Sequence, residues 1–294
     1  CGVTLSQALD VYVRLKGGEK GIKFIRHATR STNYAIEAVG DHDLTSYDGK
    51  ARGVLRDALL DRGLVSSSAK RVFASVRAMV NFVICEYGLK ATNPFLHVFF
   101  PELNDTKKRM PFSTMEIRLL HDKCRSTDDD VRHLAALISD TGVRLAEAKH
   151  LKVSDIKIGG PIPYIHIRPN PIRRLKTKQS ERQVPLIGAS LWAAKRILAT
   201  SSGDYAFPRY VKNGTCLANS ASATLNKWIR SNIGNDLVVH SMRHKFRDRL
   251  REVGCPPEIT DSLGGWSRNS IGESYGDGYS LKAKHEWLSK ITLE

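Results

Sequence analysis

Several basic side chains stand in patterns suited to holding a phosphate group. Arg144 follows the helix breaker Gly142 and so falls in the first turn of a new helix, where a phosphate would meet a guanidinium and free backbone N–H groups. Glu147 lies on the same helical face and is placed to orient a neighbouring basic side chain. His240 and Arg243 have the same spacing, which lets both address one anion. Each pair alone is more often structural or a surface ion pair, so only their combination indicates a phosphate site.

A polar, basic segment between two β-like stretches offers a proton donor. It runs from Leu175 to Leu186, and a lysine on such a hairpin can reach a buried phosphate and give up a proton. Lys176 and Lys178 both qualify. The alternative is a solvated basic turn without a chemical role, which is the commoner use of such a segment.

The C-terminal part of the sequence holds a tyrosine in flexible surroundings. Tyr275 comes nine residues after Trp266, and it is surrounded by Gly272, Gly276 and Gly278. A tyrosine that swings into a phosphate needs this backbone freedom, whereas an ordinary core tyrosine does not. Tyr279 is a second candidate. The indole N–H of Trp266 can donate to a phosphate oxygen, although a tryptophan is also common in a core.

Taken in order, these patterns resemble the tyrosine recombinase (phage integrase) family. That family carries T-G-x-R-x-x-E, a β-hairpin lysine, H-x-x-R, L-x-G-(H or W) and a C-terminal tyrosine. Here the motifs run from Thr141 to Tyr275, through nearly all of the presumed second domain. The ordered set is specific, because chance assembly of all five motifs is implausible. The N-terminal half matches only by pattern, as a helical core-DNA-binding domain.

The resemblance implies a catalytic role for the motif residues. Arg144 and Arg243 would clamp the two non-bridging oxygens of the scissile phosphate. His240 would hydrogen-bond that phosphate and assist as a proton acceptor. Tyr275 would be the nucleophile that forms a covalent 3′-phosphotyrosyl intermediate, and its spacing from the tryptophan favours it over Tyr279.

The remaining motif residues would assist this chemistry. Lys176 would be the general acid that protonates the departing 5′-oxygen, and it is preferred to Lys178 because it precedes Thr177, as in the family's K-T pattern. Trp266 stands where the family more often has histidine, which keeps phosphate binding but offers no acid–base group. Glu147 would support the site without reacting.

The function implied by this resemblance is site-specific DNA recombination through a Holliday junction. The partners would be double-stranded DNA with a specific recombination site, a homo-tetramer assembled on that DNA, and accessory DNA-bending proteins. No metal or cofactor is implied, since arginines, a lysine, a histidine and an indole supply the electrostatic field. The alternatives are a type IB topoisomerase-like strand breaker, a metal-dependent nuclease and a non-catalytic DNA-binding protein.

The composition agrees with a nucleic-acid partner. The 294 residues carry 46 Lys and Arg against 30 Asp and Glu, a net charge of +16. Basic surfaces bind nucleic acid by releasing counterions, although a merely soluble basic protein would have the same composition.

The sequence also indicates the compartment. No run approaches the roughly 18 apolar residues of a membrane span. The five scattered cysteines lack CxxC spacing, which favours reduced thiols and a cytoplasmic protein. The family resemblance further implies a DNA-associated protein of a bacterial, phage or mobile-element host cell. No signal-peptide pattern opens the chain, and its start in a helical pattern at Cys1 leaves room for an upstream segment.

The length favours two domains, each able to bury its own core. We expect a helical core-DNA-binding domain at 1–100, a basic linker at 101–111, and a catalytic domain at 112–294. The predicted fold class is mainly α, with a small antiparallel β-sheet among the helices of an α+β catalytic domain.

Local signals predict the elements of the first domain. Thr4 begins a capping box, and apolar residues at helical spacing after 66–68 predict a long helix. Cations outside that apolar face, together with those of the linker, are expected to face DNA: Lys70, Arg71, Arg77, Lys107, Lys108 and Arg109.

Local signals also predict the second domain. Ser113 is expected to cap a helix, and helical spacing recurs at 131–138 and from about Ser222. The β-like pieces lie at 162–167, 173–176 and 183–186. The tail, 280–294, has the pattern of an amphipathic helix that we expect to dock on a neighbouring subunit, with packing on its own domain as the alternative.

Overall fold

The computed structural model describes residues 2–101, 110–173, 175, 180–212, 215–216, 218–266 and 278–293. The chain divides into two compact units, Cys1–Lys108 and Arg109–Glu294. The division falls within the segment 101–111 that the sequence assigns to a linker. Lys107, Lys108 and Arg109 lie outside the described residues, so their expected DNA contacts stay predictions.

The first unit is built from four described helices. These are α1 Leu5–Lys20, α2 Ile22–Val39, α3 Ala51–Asp61 and α4 Ser66–Glu86. Thr4 caps α1 through a capping box with Gln7, which confirms that prediction. The apolar stripe of α4 is buried against the other helices, as its spacing predicted, through Val72, Val76, Met79, Val80 and Val83. Packing of this stripe, rather than helix propensity, stabilises the unit.

The second unit combines helices with a small sheet, which confirms the predicted fold class. Its helices are α5 Thr114–Thr127, α6 Asp130–Thr141, α7 Leu145–Ala148, α8 Gly188–Thr200, α9 Ala218–Asn232, α10 Val239–Glu252, α11 Pro257–Gly264 and α12 Leu281–Ser289. Its strands are β1 Ile156–Lys157, β2 Tyr164–Ile167, β3 Arg182–Pro185, β4 Val211–Lys212 and β5 Thr215–Cys216.

The sheet is antiparallel, and its register places an arginine inside the unit. Strands β1, β2 and β3 pair in that order, with Ile165 opposite Val184 and Ile167 opposite Arg182. Because side chains alternate along a strand, Arg182 shares the buried face with Val184. Strands β4 and β5 form a separate two-stranded hairpin.

One expectation about the second unit is wrong, and one of its helices was not predicted. The piece 173–176 is not a strand where it is described, because Arg173 pairs only in an isolated bridge with Asn170. Helix α8 was not predicted at all. The residue before its start, Ile187, has no side chain that can accept a capping hydrogen bond. Instead, the N–H of Ala189 donates to the Asp140 carboxylate of α6 at 2.9 Å. This tertiary cap replaces the expected local signal.

The C-terminal helix α12 packs on its own unit, which is the alternative to the docking expected from the sequence. Leu288 and Ile291 are buried in the core of that unit. The guanidinium of Arg249 donates to the carbonyl of Ile291 and, at 2.8 Å, to the buried Asp140 carboxylate. The end of the described chain is therefore attached to the same core as α6.

None of the helices in the described part of the chain is long and apolar enough to cross a membrane.

Gly142 ends α6 in the left-handed region, and the turn that it makes leads directly to Arg144. Its φ is +60°, and a Cβ atom there would lie 2.2 Å from Cδ1 of Phe246. Gly254 has a φ of +73° but nothing within 4 Å of the same position. The two glycines thus share a backbone requirement and differ only in the space around them.

We expect Gly142→Ala to destabilise the protein more than Gly254→Ala. The left-handed conformation costs a residue with a Cβ about 1–2 kcal/mol at either position, and Gly142→Ala adds a steric clash. Urea denaturation of both variants measures the free energies of unfolding. Equal losses would show that Phe246 moves aside without cost.

Candidate active site

Glu147 and Arg144 are held together by two hydrogen bonds at the start of α7. Arg144 is the N-cap residue, and its backbone N–H donates to Oε2 of Glu147 at 2.8 Å, while its Nη1 donates to Oε1 at 2.6 Å. The sequence predicted that Glu147 orients a basic neighbour, and the structure confirms this. Because the carboxylate accepts from the N–H of Arg144, this N–H is not one of the free backbone groups that the sequence predicts for a phosphate at the start of the helix.

Arg182 binds the same carboxylate from strand β3. Its Nη2 donates to Oε2 of Glu147 at 2.9 Å, and its Nε donates to the carbonyl of Leu263 at 2.8 Å. Its Nη1 donates to the carbonyl of Ser180, also at 2.8 Å. The sequence analysis did not single out Arg182. Its alternation with the apolar Val184 in β3 was the available signal that it points inward.

These contacts set the ionisation of Glu147. Burial raises the pKa of this carboxyl. The charge of Arg182 and the hydrogen bonds from Arg182 and Arg144 together lower it by more, so the pKa lies below its usual value. Glu147 is therefore a buried carboxylate at neutral pH. A carboxylate saturated by two arginines is a support for them and has no free proton to transfer.

The turn after α11 brings the tryptophan motif to Arg144. Gly265 adopts a left-handed φ of +61°, and its carbonyl accepts a hydrogen bond from Nη2 of Arg144 at 2.7 Å. The backbone N–H of Trp266 donates to the carbonyl of Asp261 at 3.0 Å, which fixes this residue at the end of the helix. Two motifs that lie 121 residues apart in sequence are therefore in direct contact.

Arg243 is the most deeply buried of the predicted cations that the structure describes. It is 5% exposed, donates to the carbonyl of Gly142, and lies over the Trp266 ring with 4.1 Å between its Cζ and the ring centroid. Its Nη2 is buried and has no hydrogen-bond partner among the described residues. A second arginine, Arg247, lies 4.8 Å from the same ring and donates to Asp261.

The surroundings of Arg243 favour an anion. Burial, followed by repulsion from Arg144 and Arg182, lowers the pKa of Arg243 to about 9, well below its ordinary value. The guanidinium stays charged at neutral pH, but at a cost, because Glu147 is shared by the other two arginines. We call Arg144, Glu147, Arg182 and Arg243 the arginine–glutamate cluster. A bound phosphate would supply both the negative charge and the acceptor that Arg243 lacks.

His240 lies one turn before Arg243 on α10, as the spacing predicted, but in a different environment. Its side chain is exposed, and its ring stands edge-on to that of His244 with centroids 5.0 Å apart. His244 was not singled out from the sequence. The imidazole of His240 is thus accessible from solvent, whereas the guanidinium of Arg243 is buried.

Of the predicted site residues, the structure connects Arg144, Glu147, Arg243 and Trp266 through the contacts above. His240 shares a helix with Arg243. Lys176, its alternative Lys178, and Tyr275 lie outside the described residues, so their places in the site stay predictions. Tyr279 is described, and 41% of it is exposed.

Exposed cations line a groove on α9 in the second unit. The groove has a volume of about 630 Å³ and includes Asn226, Lys227 and Arg230. Asn226 accepts a hydrogen bond from the N–H of Val239 at 2.9 Å, which joins the groove to the start of the helix that carries His240. The sequence analysis did not identify these cations.

The first unit carries a second basic surface. Lys70 and Arg71 of α4 are exposed, as expected for DNA contacts, whereas Arg77 is half-buried. Burial, followed by the charges of Arg30 and Arg71, lowers the pKa of His27, so cations of α2 and α4 lie near one another. The α2 cations were not predicted.

Comparison with known proteins bears on this arrangement. The model of the phage integrase family matches residues 112–279, more than half of the chain. The tyrosine recombinase XerC of Vibrio vulnificus (strain YJ016) is 24% identical over 266 residues, which cover 84% of this chain and 79% of that protein. The tyrosine recombinase XerD of Corynebacterium glutamicum is 26% identical over 229 residues, covering 73% and 71%.

Solved structures show the same fold. A variant of the Tn1549 transposon integrase in complex with a circular intermediate DNA matches with a TM-score of 0.74 at 15% identity, covering 99% of this chain and 100% of that one. A lambda integrase tetramer bound to a Holliday junction matches with a TM-score of 0.68 at 18% identity, covering 92% and 81%.

We expect low-millimolar sulfate to stabilise the protein through Arg243. An anion that binds only the folded state raises its stability by about 1.4–2.7 kcal/mol at ten to a hundred times its Kd. Thermal unfolding is measured with sodium sulfate and with sodium chloride at equal ionic strength, for the wild type and Arg243→Gln. The exposed change Arg230→Gln is the control for lost charge. A sulfate response that survives in Arg243→Gln would contradict an anion site at this guanidinium.

Proposed function

This chain belongs to the phage integrase family, and we propose that it recombines DNA at specific sites by cleaving and rejoining strands at the arginine–glutamate cluster. The observation that carries the proposal is the unpartnered, buried Nη2 of Arg243 beside a carboxylate already shared by two other arginines. A phosphodiester carries one negative charge and two non-bridging oxygens. It therefore fits a site that lacks both an anion and an acceptor.

The described residues divide the work of holding the phosphate. Arg144 and Arg243 bind its two non-bridging oxygens, where negative charge grows in the transition state. The Trp266 ring supports the guanidinium of Arg243 from one side. His240, exposed on the same helix, hydrogen-bonds the phosphate and accepts a proton from the attacking group. Glu147 holds Arg144 and does not react.

Tyr275 and Lys176 complete the reaction in this proposal. The phenol oxygen of Tyr275 attacks phosphorus as its proton leaves, and a 3′-phosphotyrosyl bond forms. The bond to the 5′-oxygen breaks, and Lys176 gives that oxygen a proton. A 5′-hydroxyl of the partner strand then attacks the phosphotyrosine as its proton passes to Lys176, the bond from phosphorus to the Tyr275 oxygen breaks, and the phenol regains its proton. One phosphoester bond is exchanged for another at each step, so the phosphodiester is restored without an external source of energy.

The basic surfaces are proposed to hold the duplex. The α9 groove presents Lys227 and Arg230 beside the start of α10, and the first unit presents Lys70 and Arg71. Contacts from arginine and lysine to phosphates position DNA without reading its sequence. By likeness to the lambda integrase tetramer on a Holliday junction, we propose that four copies act together at a specific recombination site. Accessory DNA-bending proteins belong to the same proposal.

The alternatives raised by the sequence are less well supported. A type IB topoisomerase-like enzyme and a non-catalytic DNA-binding protein are not favoured, because the family match and both relatives are recombinases. A metal-dependent nuclease needs clustered carboxylates. Within the described residues no group of three His, Cys, Asp or Glu side chains is placed to hold a metal ion.

We expect the protein to form a covalent adduct with a nicked suicide duplex, which traps the 3′-phosphotyrosyl intermediate. The adduct is detected on a denaturing gel in excess chelator. Tyr275→Phe should abolish it and Tyr279→Phe should retain it. Arg243→Ala should slow its formation by about 10²–10³, by analogy with the loss of one oxyanion-hole donor.

The outcomes separate the candidate functions. An adduct that persists in Tyr275→Phe but disappears in Tyr279→Phe would move the nucleophile to residue 279. DNA binding without an adduct would indicate a non-catalytic binding protein. Strand cleavage that chelator abolishes would indicate a metal nuclease.

We expect the α9 cations to contribute to DNA affinity without sequence preference. Lys227→Gln and Arg230→Gln should each weaken binding to specific and non-specific duplexes alike. Each should also reduce the slope of log K against log salt by about 1, because one phosphate contact is lost. Gel-shift titrations at several salt concentrations measure the slope. Lys195→Gln, an exposed lysine on α8, is the matched control, and slopes unchanged in all three variants would exclude the groove from the interface.

A further inference from the structure

We infer that Arg182 is a positioning residue of this reaction, which aims the guanidinium of Arg144 by fixing both of its acceptors. The inference rests on the proposed function, since it assigns Arg144 to the scissile phosphate. Neither the sequence motifs nor the comparisons assign a role to Arg182. It acts through other residues and need not touch DNA.

The first acceptor is the carboxylate of Glu147. Nη1 of Arg144 donates to Oε1, while Nη2 of Arg182 donates to Oε2, at 2.6 Å and 2.9 Å. Oε2 also accepts from the backbone N–H of Arg144, so the two hydrogen bonds from Arg144 join the carboxylate only to its own short helix. The bond from Arg182 is the one that ties this carboxylate, and with it the 30%-exposed side chain of Arg144, to strand β3.

The second acceptor is the carbonyl of Gly265. It accepts from Nη2 of Arg144 at 2.7 Å, and it belongs to a turn that lies against Arg182. A Cβ atom on Gly265 would lie 2.7 Å from Nη1 of Arg182. The Nε of Arg182 also donates to the carbonyl of Leu263, two residues earlier. One planar guanidinium therefore supports the α11 turn and the α7 carboxylate at the same time.

Charge gives Arg182 a further effect on Arg144. Glu147 carries one negative charge, and Arg182 neutralises it from within the protein. If Arg182 were neutral, the whole carboxylate charge would act on Arg144 and weaken its attraction for a phosphate. A buried arginine is costly, since its side chain is 3% exposed and burial lowers its pKa even with Glu147 beside it. Replacing a whole buried ion pair with well-packed apolar residues is often neutral or stabilising, so the presence of the charged pair here favours a functional reason for it.

A double-mutant cycle tests whether Arg182 acts through Arg144. The rate of adduct formation is measured under single-turnover conditions, at saturating DNA, for the wild type, Arg182→Lys, Arg144→Lys and the double variant. We expect Arg182→Lys to slow adduct formation by about 10–10², as misplacement of a catalytic group does, with DNA affinity changed less than about threefold. The double variant should be no more than about threefold slower than Arg144→Lys alone, because the interaction is already lost.

The matched control is Arg249→Lys. Arg249 is equally buried, at 3% exposure, and is also bonded to a carboxylate and a backbone carbonyl, those of Asp140 and Ile291. Any effect of Arg249→Lys should multiply with that of Arg144→Lys. Urea denaturation measures the loss of stability in Arg182→Lys and in Arg249→Lys. If Arg182 had a purely structural role, a loss of stability would be the only effect of Arg182→Lys.

Each outcome decides the inference. Multiplicative effects of the two substitutions, or full activity of Arg182→Lys, would overturn it. If Arg182→Lys does not fold, Gly265→Ala takes the place of that variant in the cycle, because its Cβ would displace the Arg182 guanidinium. Gly254→Ala is then the control for the backbone conformation. A wild type that forms no adduct overturns the proposed function as well, whereas an active wild type with a multiplicative cycle overturns only the role of Arg182.

Discussion

The structure of the site depends on one buried carboxylate that two arginines share. Glu147 accepts from the guanidinium of Arg144 on Oε1 and from that of Arg182 on Oε2, so its one negative charge is shared by two cations. Arg243 is left as a buried cation without a counter-charge of its own among the described residues. Had the unit supplied a second carboxylate here, the cluster would be neutral and would have no electrostatic reason to bind a phosphate. In the proposed function, this shortage of negative charge is what favours a phosphodiester at the cluster.

Backbone turns bring these side chains together. Gly142 and Gly265 both adopt left-handed conformations, and each offers its carbonyl to a clamp arginine, Arg243 and Arg144 respectively. Each clamp arginine is therefore held by a turn that belongs to a distant motif. The hydrophobic core behind α6, the sheet and α10 fixes these turns, because packed interiors leave little room for adjustment.

The sequence predicted what local spacing and local caps decide. An i,i+3 pair predicted the contact of Glu147 with Arg144, and capping patterns predicted the helix starts at Thr4 and Ser113. Arg182 was missed because its partners, Glu147 and Leu263, are 35 and 81 residues away. Helix α8 was missed for the same reason, since its cap is the distant Asp140. A pattern over a few residues carries no information about such distant partners. A family motif does, because its residues share one site in the folded proteins of that family.

The burial of Arg243 connects the energetics of the free protein with its reaction. A guanidinium next to two others, with its pKa lowered to about 9, is less stable where it is than it would be in water. In the proposed function DNA removes this penalty, because a phosphate that reaches the cluster replaces the hydration that Arg243 lost on folding. The folded protein has already desolvated and oriented the cation, so this cost does not arise again at the moment of reaction. In the same proposal, binding energy from the outer basic surfaces serves to bring the phosphate inward, to the cluster in which three guanidiniums outnumber their carboxylate.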